Sequence, residues 1–369
     1  MKRLIKLILL ILNVVAILLM LGSTMAGRVA PSSNILFSIL AYGYLYFLIA
    51  NVLFVIIWLF LGSKWFLLPL LSVLIRYSFI PLYFQVGGTD KADDEELLLK
   101  VMTFNVHRFQ GVSHCTDCLD TNMAQFLDIV DEECPDVLAL QEYIGRGDTL
   151  HLTEHLRRRG YGYTATGYDN GSVTGEVVIS KLPIVRVVRI EGPAKLIADV
   201  LWGGDTVRIY CLHLSSYGLD ESDQQQIHDI SHGNMDSLTG RSTFRKFRHA
   251  LLMHEREWGV LMPFFESHKR LSVVAGDFND PPASYFYQQC RNYFEDSYSE
   301  VGQGFSTTYH GIFTRNRTTT FPSFRIDNLL HTPDMEAVAY KRIKSEISDH
   351  HPVVATMKKI CNEKNDTKN

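Results

Sequence analysis

Apolar and polar positions divide this chain at about residue 89. Leu4 to Leu21 is apolar apart from Lys6 and Asn13, and Ile35 to Leu61 is a longer apolar stretch rich in aromatics. Trp65 to Phe84 is a third, with Arg76 inside it and Pro69 and Pro81 near its ends. Runs of about 20 apolar residues match the hydrocarbon thickness of a bilayer. Residues 1–86 therefore read as a membrane segment with two or three transmembrane helices. In the third, Arg76 must snorkel, pair or sit near an interface, and the alternative is a helix lying on the membrane surface.

Beyond that segment the pattern changes. Gly87 to Glu96 is a polar linker, residues 97–360 are enough for one large domain with its own core, and residues 361–369 are a polar tail. Within the domain, short β-prone runs recur: Val101 to Phe104, Val137 to Leu140, Val207 to Leu212 and Leu271 to Ala275. Helical patterns lie between them at Asn122 to Glu133, Thr149 to Arg159 and Phe244 to Phe265. Strands interleaved with helices, with several strand-to-strand steps, predict an α/β sandwich.

Charge sharpens the division. Six of the 36 basic residues and none of the 40 acidic ones lie in the first 89 positions, so the remainder stands at −10. A protein that grips a nucleic-acid backbone needs a basic face, and this balance gives no such sign. Lys2, Arg3 and Lys6 favour a cytoplasmic N-terminus. Three spans then put the domain on the far side of a bacterial inner membrane, in the periplasm; a flat third segment would leave it cytoplasmic. Small residues at Gly22-Ser23-Thr24-Met25-Ala26 would suit a signal peptidase, and cleavage there keeps the same final sidedness. Cys115 and Cys118, beside His114, are open to three readings: a disulfide, a partial zinc site, or two free thiols. A structural zinc needs four ligands and there is no second Cys-x-x-Cys pair. Cys211 lies within a strand and reads as core.

The candidate chemistry sits where the β-prone runs end. Asn105 closes the first, Glu142 the second and His213 the third. Gly276-Asp277-Phe278-Asn279-Asp280 follows the fourth, Asp327 falls in Ser323 to Asn328, and Ser348-Asp349-His350-His351-Pro352 precedes Val353-Val354. Carboxylate oxygens suit Mg²⁺ or Mn²⁺, and an imidazole beside them suits phosphate or proton transfer. A lone Asp-x-Asn after a strand is usually a turn capped by its own side chains, and Ser348-Asp349 alone could cap a helix. Six unrelated turns would not be expected to show this ordered series.

The series resembles the endonuclease/exonuclease/phosphatase superfamily, which includes DNase I-like nucleases, apurinic endonucleases, sphingomyelinases and inositol phosphatases. It runs from about Leu97 to Met357. The resemblance implies a DNase I-like four-layer αββα sandwich with the site at one edge, and a metal-dependent phosphoesterase using Mg²⁺ (or Mn²⁺). It implies Glu142 as main metal ligand with Asn105 close by, and Asp349 as a further metal or water ligand. Asp277 is implied as the group that activates the attacking water, and Asn279 as the amide that orients water or phosphate. His213 and His350 are implied as the pair on the scissile phosphate, with Asp327 fixing the tautomer of His350. Glu176 is a candidate to orient His213. One departure is visible: Tyr143-Ile144-Gly145 follows Glu142, without the arginine many nucleases of this type carry there.

The reading is a membrane-anchored, Mg²⁺-dependent hydrolase of phosphodiester bonds. Its alternatives are a DNA or RNA endonuclease, a lipid-headgroup phosphodiesterase (sphingomyelinase-like or acting on glycosylphosphatidylinositol-type lipids), and an inactive anion-binding module. The longer motifs of the inositol-phosphatase branch are missing. The partners implied are a phosphodiester substrate, nucleic acid or phospholipid headgroup, and the lipid bilayer; no protein partner is implied. The polar stretch Ser215 to Thr243 is a solvated insertion or a loop beside the site. The basic cluster Arg241 to Arg248 is a wet helix face or an anion contact.

Overall fold

The computed structural model describes residues 2–88, 97–111, 118–144, 149–167, 174–190, 195–218, 237–267, 270–310 and 324–360. The linker at 89–96, Cys115, Gly145, the polar stretch 219–236 and the tail 361–369 lie outside them.

The apolar quarter forms helices α1 (Lys2–Ser23), α2 (Ile35–Ala41), α3 (Tyr44–Phe60) and α4 (Leu67–Ile75), then strand β1 (Phe84–Gln85). Arg3–Ser23 is long and apolar enough by itself to cross a membrane. The second expected span is not straight, because α2 and α3 meet at 68°. Gly43 lies in that bend, where an added Cβ would come within 2.5 Å of the Phe47 ring. The third expected span is not one helix. α4 ends at Ile75, Arg76 leaves helical geometry at φ −114, and Tyr77–Leu82 is a 3₁₀ turn containing Pro81, which has no N–H to donate. Two buried amides join α1 to α3: Asn13 Oδ1 accepts from Trp58 Nε1 at 3.0 Å, and Asn51 Nδ2 donates to the Ala16 carbonyl at 3.0 Å. Outward, Leu4, Ile8, Ile11 and Leu18 of α1 and Leu53 and Phe60 of α3 are exposed.

The rest builds two six-stranded sheets. In chain order the elements are β2 (Leu98–Asn105), α5 (Leu119–Glu133), β3 (Val137–Ile144), α6 (Thr149–Arg158), β4 (Tyr163–Thr166) and β5 (Thr174–Ser180). Then come β6 (Ile184–Arg189), β7 (Lys195–Trp202), β8 (Asp205–His213), α7 (Ser237–Ser267), β9 (Ser272–Asp277) and α8 (Tyr285–Cys290). Last are β10 (Glu295–Asp296), α9 (Ser297–Val301), β11 (Gly304–Phe305), β12 (Asp327–His331), β13 (Met335–Arg342) and β14 (Val353–Lys359). One sheet runs β13-β14-β2-β3-β5-β4, the other β10-β12-β9-β8-β7-β6. β2–β3 and β8–β9 pair parallel. The expected α/β sandwich is the observed fold, and the three expected helices correspond to α5, α6 and α7.

Side-chain alternation explains the layering. Leu99 and Val101 of β2, Ile209 and Cys211 of β8, and Val273 and Ala275 of β9 fill the space between the sheets. Their neighbours Met102 and Phe104 turn outward to Phe126 and Val130 of α5. Tyr210, Leu212 and Val274 turn the other way, to Trp258, Leu261 and Phe265 of α7. Cys211 is buried core, as its strand position predicts. Cys118 is disulfide-bonded, which overturns the zinc and free-thiol readings, and its partner lies outside the described residues.

The N-terminal segment shares this outer core. Met20, Ala26, Tyr44, Leu82 and Tyr83 pack in one cluster with Trp258 of α7 and Phe286 and Tyr287 of α8. The small residues from Gly22 to Ala26 are thus packed rather than presented: Ser23, Thr24 and Ala26 are all buried. β1 adds to β11 as a two-stranded ribbon. The junction is locked by a buried ion pair, in which Arg325 Nη1 reaches Asp296 Oδ2 at 2.7 Å and the Leu82 carbonyl at 3.2 Å. Removing one partner of such a pair strands a buried charge, so Arg325→Met should lower unfolding free energy by about 3–5 kcal/mol. Chemical denaturation of the detergent-solubilised full chain checks this; a loss near zero would show that Asp296 finds other compensation.

Candidate active site

The site lies where the inter-sheet faces of both sheets end. Asn105 continues the inward series Leu99, Val101, Thr103 of β2. His213, Asp277 and Asp327 continue the inward series of β8, β9 and β12, and they are register neighbours. His213 pairs with Asp277 across the parallel β8–β9 ladder, and Asp277 with Asp327 across antiparallel β9–β12. The close approach needs Gly276, whose φ is 155 and where an added Cβ would lie 1.9 Å from the Leu212 carbonyl. Glu142 arrives by another route. Strict alternation after inward Gln141 would turn it towards α5, but the β3–β5 register shifts between Leu140 and Tyr143, and Glu142 adopts φ 51. This bulge sends two successive residues inward and returns Tyr143 to the outer core.

The side chains converge on Asp277. Asn105 Nδ2 donates to Asp277 Oδ2 at 3.1 Å and to Glu142 Oε1 at 3.2 Å, so one amide bridges two carboxylates. His213 Nε2 and His350 Nε2 each lie 3.7 Å from Asp277 Oδ2. His213 Nε2 is also 3.8 Å from Glu142 Oε1, while its Nδ1 is 3.8 Å from Glu176 Oε1. His350 Nδ1 donates to Asp327 Oδ2 at 2.9 Å. Asp327 is itself held by Thr308, whose Oγ1 accepts from its backbone N–H at 3.0 Å. Ser348 caps no helix. Its Oγ donates to the Asn105 carbonyl at 2.7 Å and accepts from the His350 N–H at 3.1 Å, tying the His350 loop to β2. Asp349 Oδ1 lies 3.3 Å from His107 Nδ1 and 4.0 Å from His350 Nε2.

Among the described residues, ligand atoms of Asp277, Asp327 and His350 all lie within 4.8 Å of one another. His350 Nδ1 is committed to Asp327, and the Glu142 carboxylate, linked to Asp277 through Asn105, offers oxygens that suit a hard divalent cation. Asn105 turns Nδ2 towards both carboxylates, and its Oδ1 accepts from the His107 N–H at 3.0 Å. Ligating through that oxygen would require the amide to turn over.

Burial raises the Asp277 pKa above the ordinary carboxylate range; His350 and His213 pull it back while Asp327 adds to the rise. Burial alone would lower His350, but the Asp327 and Asp277 carboxylates hold it well above the ordinary imidazole range. Asp349 is lowered despite its burial, by His350 and His107. His351 faces elsewhere, its ring stacked on His310 at 4.2 Å.

Asn279 donates through Nδ2 to the Leu214 carbonyl at 2.9 Å, and its N–H donates to Asp277 Oδ1 at 2.8 Å, so it braces the loop after β9. The next residue, Asp280, is the centre of a buried cluster. Its Oδ1 accepts from Tyr42 at 2.7 Å and Tyr217 at 3.0 Å, and its Oδ2 is 3.0 Å from His254 Nδ1 of α7. Tyr42, from the α2–α3 bend, also reaches the Asn279 carbonyl at 3.1 Å.

Sequence reasoning missed His107, Tyr309, Tyr42, Tyr217 and His254. Tyr309 packs on the His350 ring at 4.8 Å. Only His107, two residues past Asn105, carried a local signal; the others come from distant segments.

Burial lowers the His254 imidazole, but Asp280 outweighs it and raises the pKa from 6.5 to about 9. A raised cationic pKa stabilises the fold fully below the unfolded value, and the benefit is lost as pH climbs through the folded value. Stability should therefore fall between about pH 6.5 and 9, by roughly 3 kcal/mol from this group. Melting temperatures of the full chain across that window should decline for wild type and flatten in His254→Gln; an unchanged slope in the variant would rule this out.

The sequence matches the model of the Endonuclease/Exonuclease/phosphatase family over residues 102–350. Residues 5–83 match a domain family of unknown function. No curated protein matches. Among solved structures, an endonuclease/exonuclease/phosphatase from Beutenbergia cavernae is 22% identical, with TM-score 0.49, covering 71% of this chain and 72% of that one. A Bacteroides vulgatus endonuclease/exonuclease/phosphatase is 16% identical, with TM-score 0.48, covering 71% of this chain and 99% of that one. D. rerio TDP2, complexed with single strand DNA product, is 17% identical, with TM-score 0.49, covering 70% of this chain and 98% of that one. With the family model spanning more than half of its length, the chain belongs to the Endonuclease/Exonuclease/phosphatase family, as a metal-dependent phosphoesterase.

Proposed function

We propose that the chain is a membrane-anchored phosphodiesterase, using Mg²⁺ or Mn²⁺, that cleaves a phosphodiester presented at the membrane surface. The observation that carries the chemistry is the convergence of Asn105, Glu142, His213 and His350 on the buried Asp277 carboxylate. When bound, the cation supplies neutralisation of the anionic phosphate and lowers the pKa of water. Glu142 and Asn105 would hold it, with Asp349 as a further oxygen on the His107 side. Asp277, its basicity raised by burial, takes the proton of the attacking water at Oδ2. Asp327 holds the His350 ring through Nδ1, which orients Nε2 and keeps it cationic at neutral pH. His350 and His213 then donate from Nε2 to the phosphate oxygens as negative charge builds there. Asn279 keeps Asp277 in place through its backbone N–H.

The membrane part of the reading rests on the apolar helices and on where their charges fall. Lys2, Arg3 and Lys6 lie near the start of α1, and Lys64 lies between α3 and α4. Positive residues favour the cytoplasmic side, which supports an extracytoplasmic, periplasmic domain. The Cys118 disulfide fits an oxidising compartment. Tyr42, from the membrane segment, is bonded to the loop that carries Asp277, which supports a membrane-borne substrate such as a lipid headgroup over a nucleic acid. The −10 charge beyond residue 89 points the same way.

The full chain in detergent should hydrolyse bis-p-nitrophenyl phosphate with Mg²⁺ or Mn²⁺, prefer it to the monoester, and fall silent in EDTA. Asp277→Asn should reduce the rate by about 10²–10⁴-fold. Turnover that survives both EDTA and the substitution would eliminate the mechanism, and metal binding without any turnover would favour the anion-binding module. Phospholipid micelles and DNA, offered side by side, separate the two substrate classes.

A further inference from the structure

A second polar cavity lies at the junction of the membrane segment and the catalytic domain, away from the Asp277 cluster. Its volume is about 400 Å³, within the range of small-ligand pockets. Arg28 and Thr24 line it from the turn after α1, Arg76 from the end of α4, and Gln288, Gln289 and Asn292 from α8 and the turn after it. Among the described residues, no acidic one lines it. The amides form a set wall: Gln289 Nε2 donates to the Gly27 carbonyl at 2.9 Å, Gln288 Nε2 to the Pro282 carbonyl at 2.6 Å, and Asn292 Nδ2 to Gln289 Oε1 at 3.4 Å. Thr24 Oγ1 is taken by the Leu21 carbonyl at 2.8 Å.

The two guanidiniums are left over. Neither forms an ion pair among the described residues, and Arg76 Nε is buried without a hydrogen-bond partner among them. Acids on the adjoining elements are engaged elsewhere, Glu255 with Ser32 at 2.6 Å and Glu295 with Arg291 at 2.9 Å. Two cationic forks facing one cavity repel each other unless an anion sits between them, and the planar guanidinium pairs bidentately with phosphate. Arg76 follows directly on apolar α4 and Arg28 lies in the turn after apolar α1, which is the depth of lipid headgroups when those helices lie in a bilayer.

We propose that this cavity binds a phosphate ester anion between Arg28 and Arg76. A phospholipid headgroup and free phosphate share that chemistry. The site is separate from the hydrolytic centre and its test reads binding alone, so its failure would leave the proposed activity standing.

The test uses the purified full chain in detergent, with the double variant Arg28→Gln/Arg76→Gln beside it. Native mass spectrometry after addition of phosphatidylglycerol reads lipid occupancy, and melting in millimolar inorganic phosphate reads the free anion. Wild type should retain phosphatidylglycerol, with occupancy at least about tenfold higher than the variant; tenfold corresponds to about 1.4 kcal/mol. A phosphate-dependent rise in melting temperature in wild type alone, without lipid retention, would assign the same site to a free anion. Equal lipid retention and equal phosphate response in both proteins would overturn the proposal. If the double variant melts well below wild type without ligand, Arg76→Lys replaces it, keeping the charge and losing the fork. It should bind phosphatidylglycerol more weakly than wild type, and wild-type binding would equally overturn the proposal.

Discussion

The candidate site depends on strand register. His213, Asp277 and Asp327 meet because β8 and β9 end, and antiparallel β12 begins, at the same level with the same face inward. A slip of one residue in any of them would turn its functional side chain into an outer hydrophobic core and bring an apolar one into the site. The same register is fixed along the whole length of these strands by Ile209, Val273, Ala275 and Leu329 packed between the sheets. Burial of the inter-sheet core and placement of the candidate catalytic groups are thus one constraint. Gly276 makes it sharper, since no side chain fits beside the Leu212 carbonyl at that point.

Two local irregularities complete the arrangement. The bulge at Glu142 departs from alternation to bring a carboxylate inward where regular strand geometry would send it to the helical layer. After β2, His107, Arg108 and Phe109 all take positive φ, and this stretch sets His107 against Asp349. Strain of this kind costs free energy and persists where surrounding packing over-determines it. Here Phe109 is fully buried against Phe126 and holds the turn down.

The N-terminal segment is joined to the catalytic unit by more than its linker. Tyr44 and Tyr83 belong to the same core as Trp258 and Phe286, Leu82 feeds the Arg325 and Asp296 lock, and Tyr42 bonds to Asp280. The outer face of the second sheet is therefore covered partly by the segment that the apolar pattern assigns to the bilayer. This physical continuity gives the loop after β9 a direct contact with the helices.

The sequence by itself determined the class of fold and put forward the residues of the candidate site. Short β-prone runs ending in Asn105, Glu142, His213 and Asp277, with Asp327 in a similar setting, were enough to place candidate chemistry beside strands, because strand propensity and turn chemistry are local properties. The same holds for α5, α6 and α7, whose apolar spacing is local too. Only the tertiary structure decided what depends on distant partners. It bent the second apolar stretch at Tyr42 and broke the third at Arg76, since packing on the catalytic core and the missing donor of Pro81 outweigh apolar length. It turned Glu142 inward through a bulge that no residue spacing announces. It brought Tyr42, Tyr217 and His254 around Asp280, and set Arg28 opposite Arg76, because contacts between segments far apart in the chain follow from how layers close and leave no periodic trace.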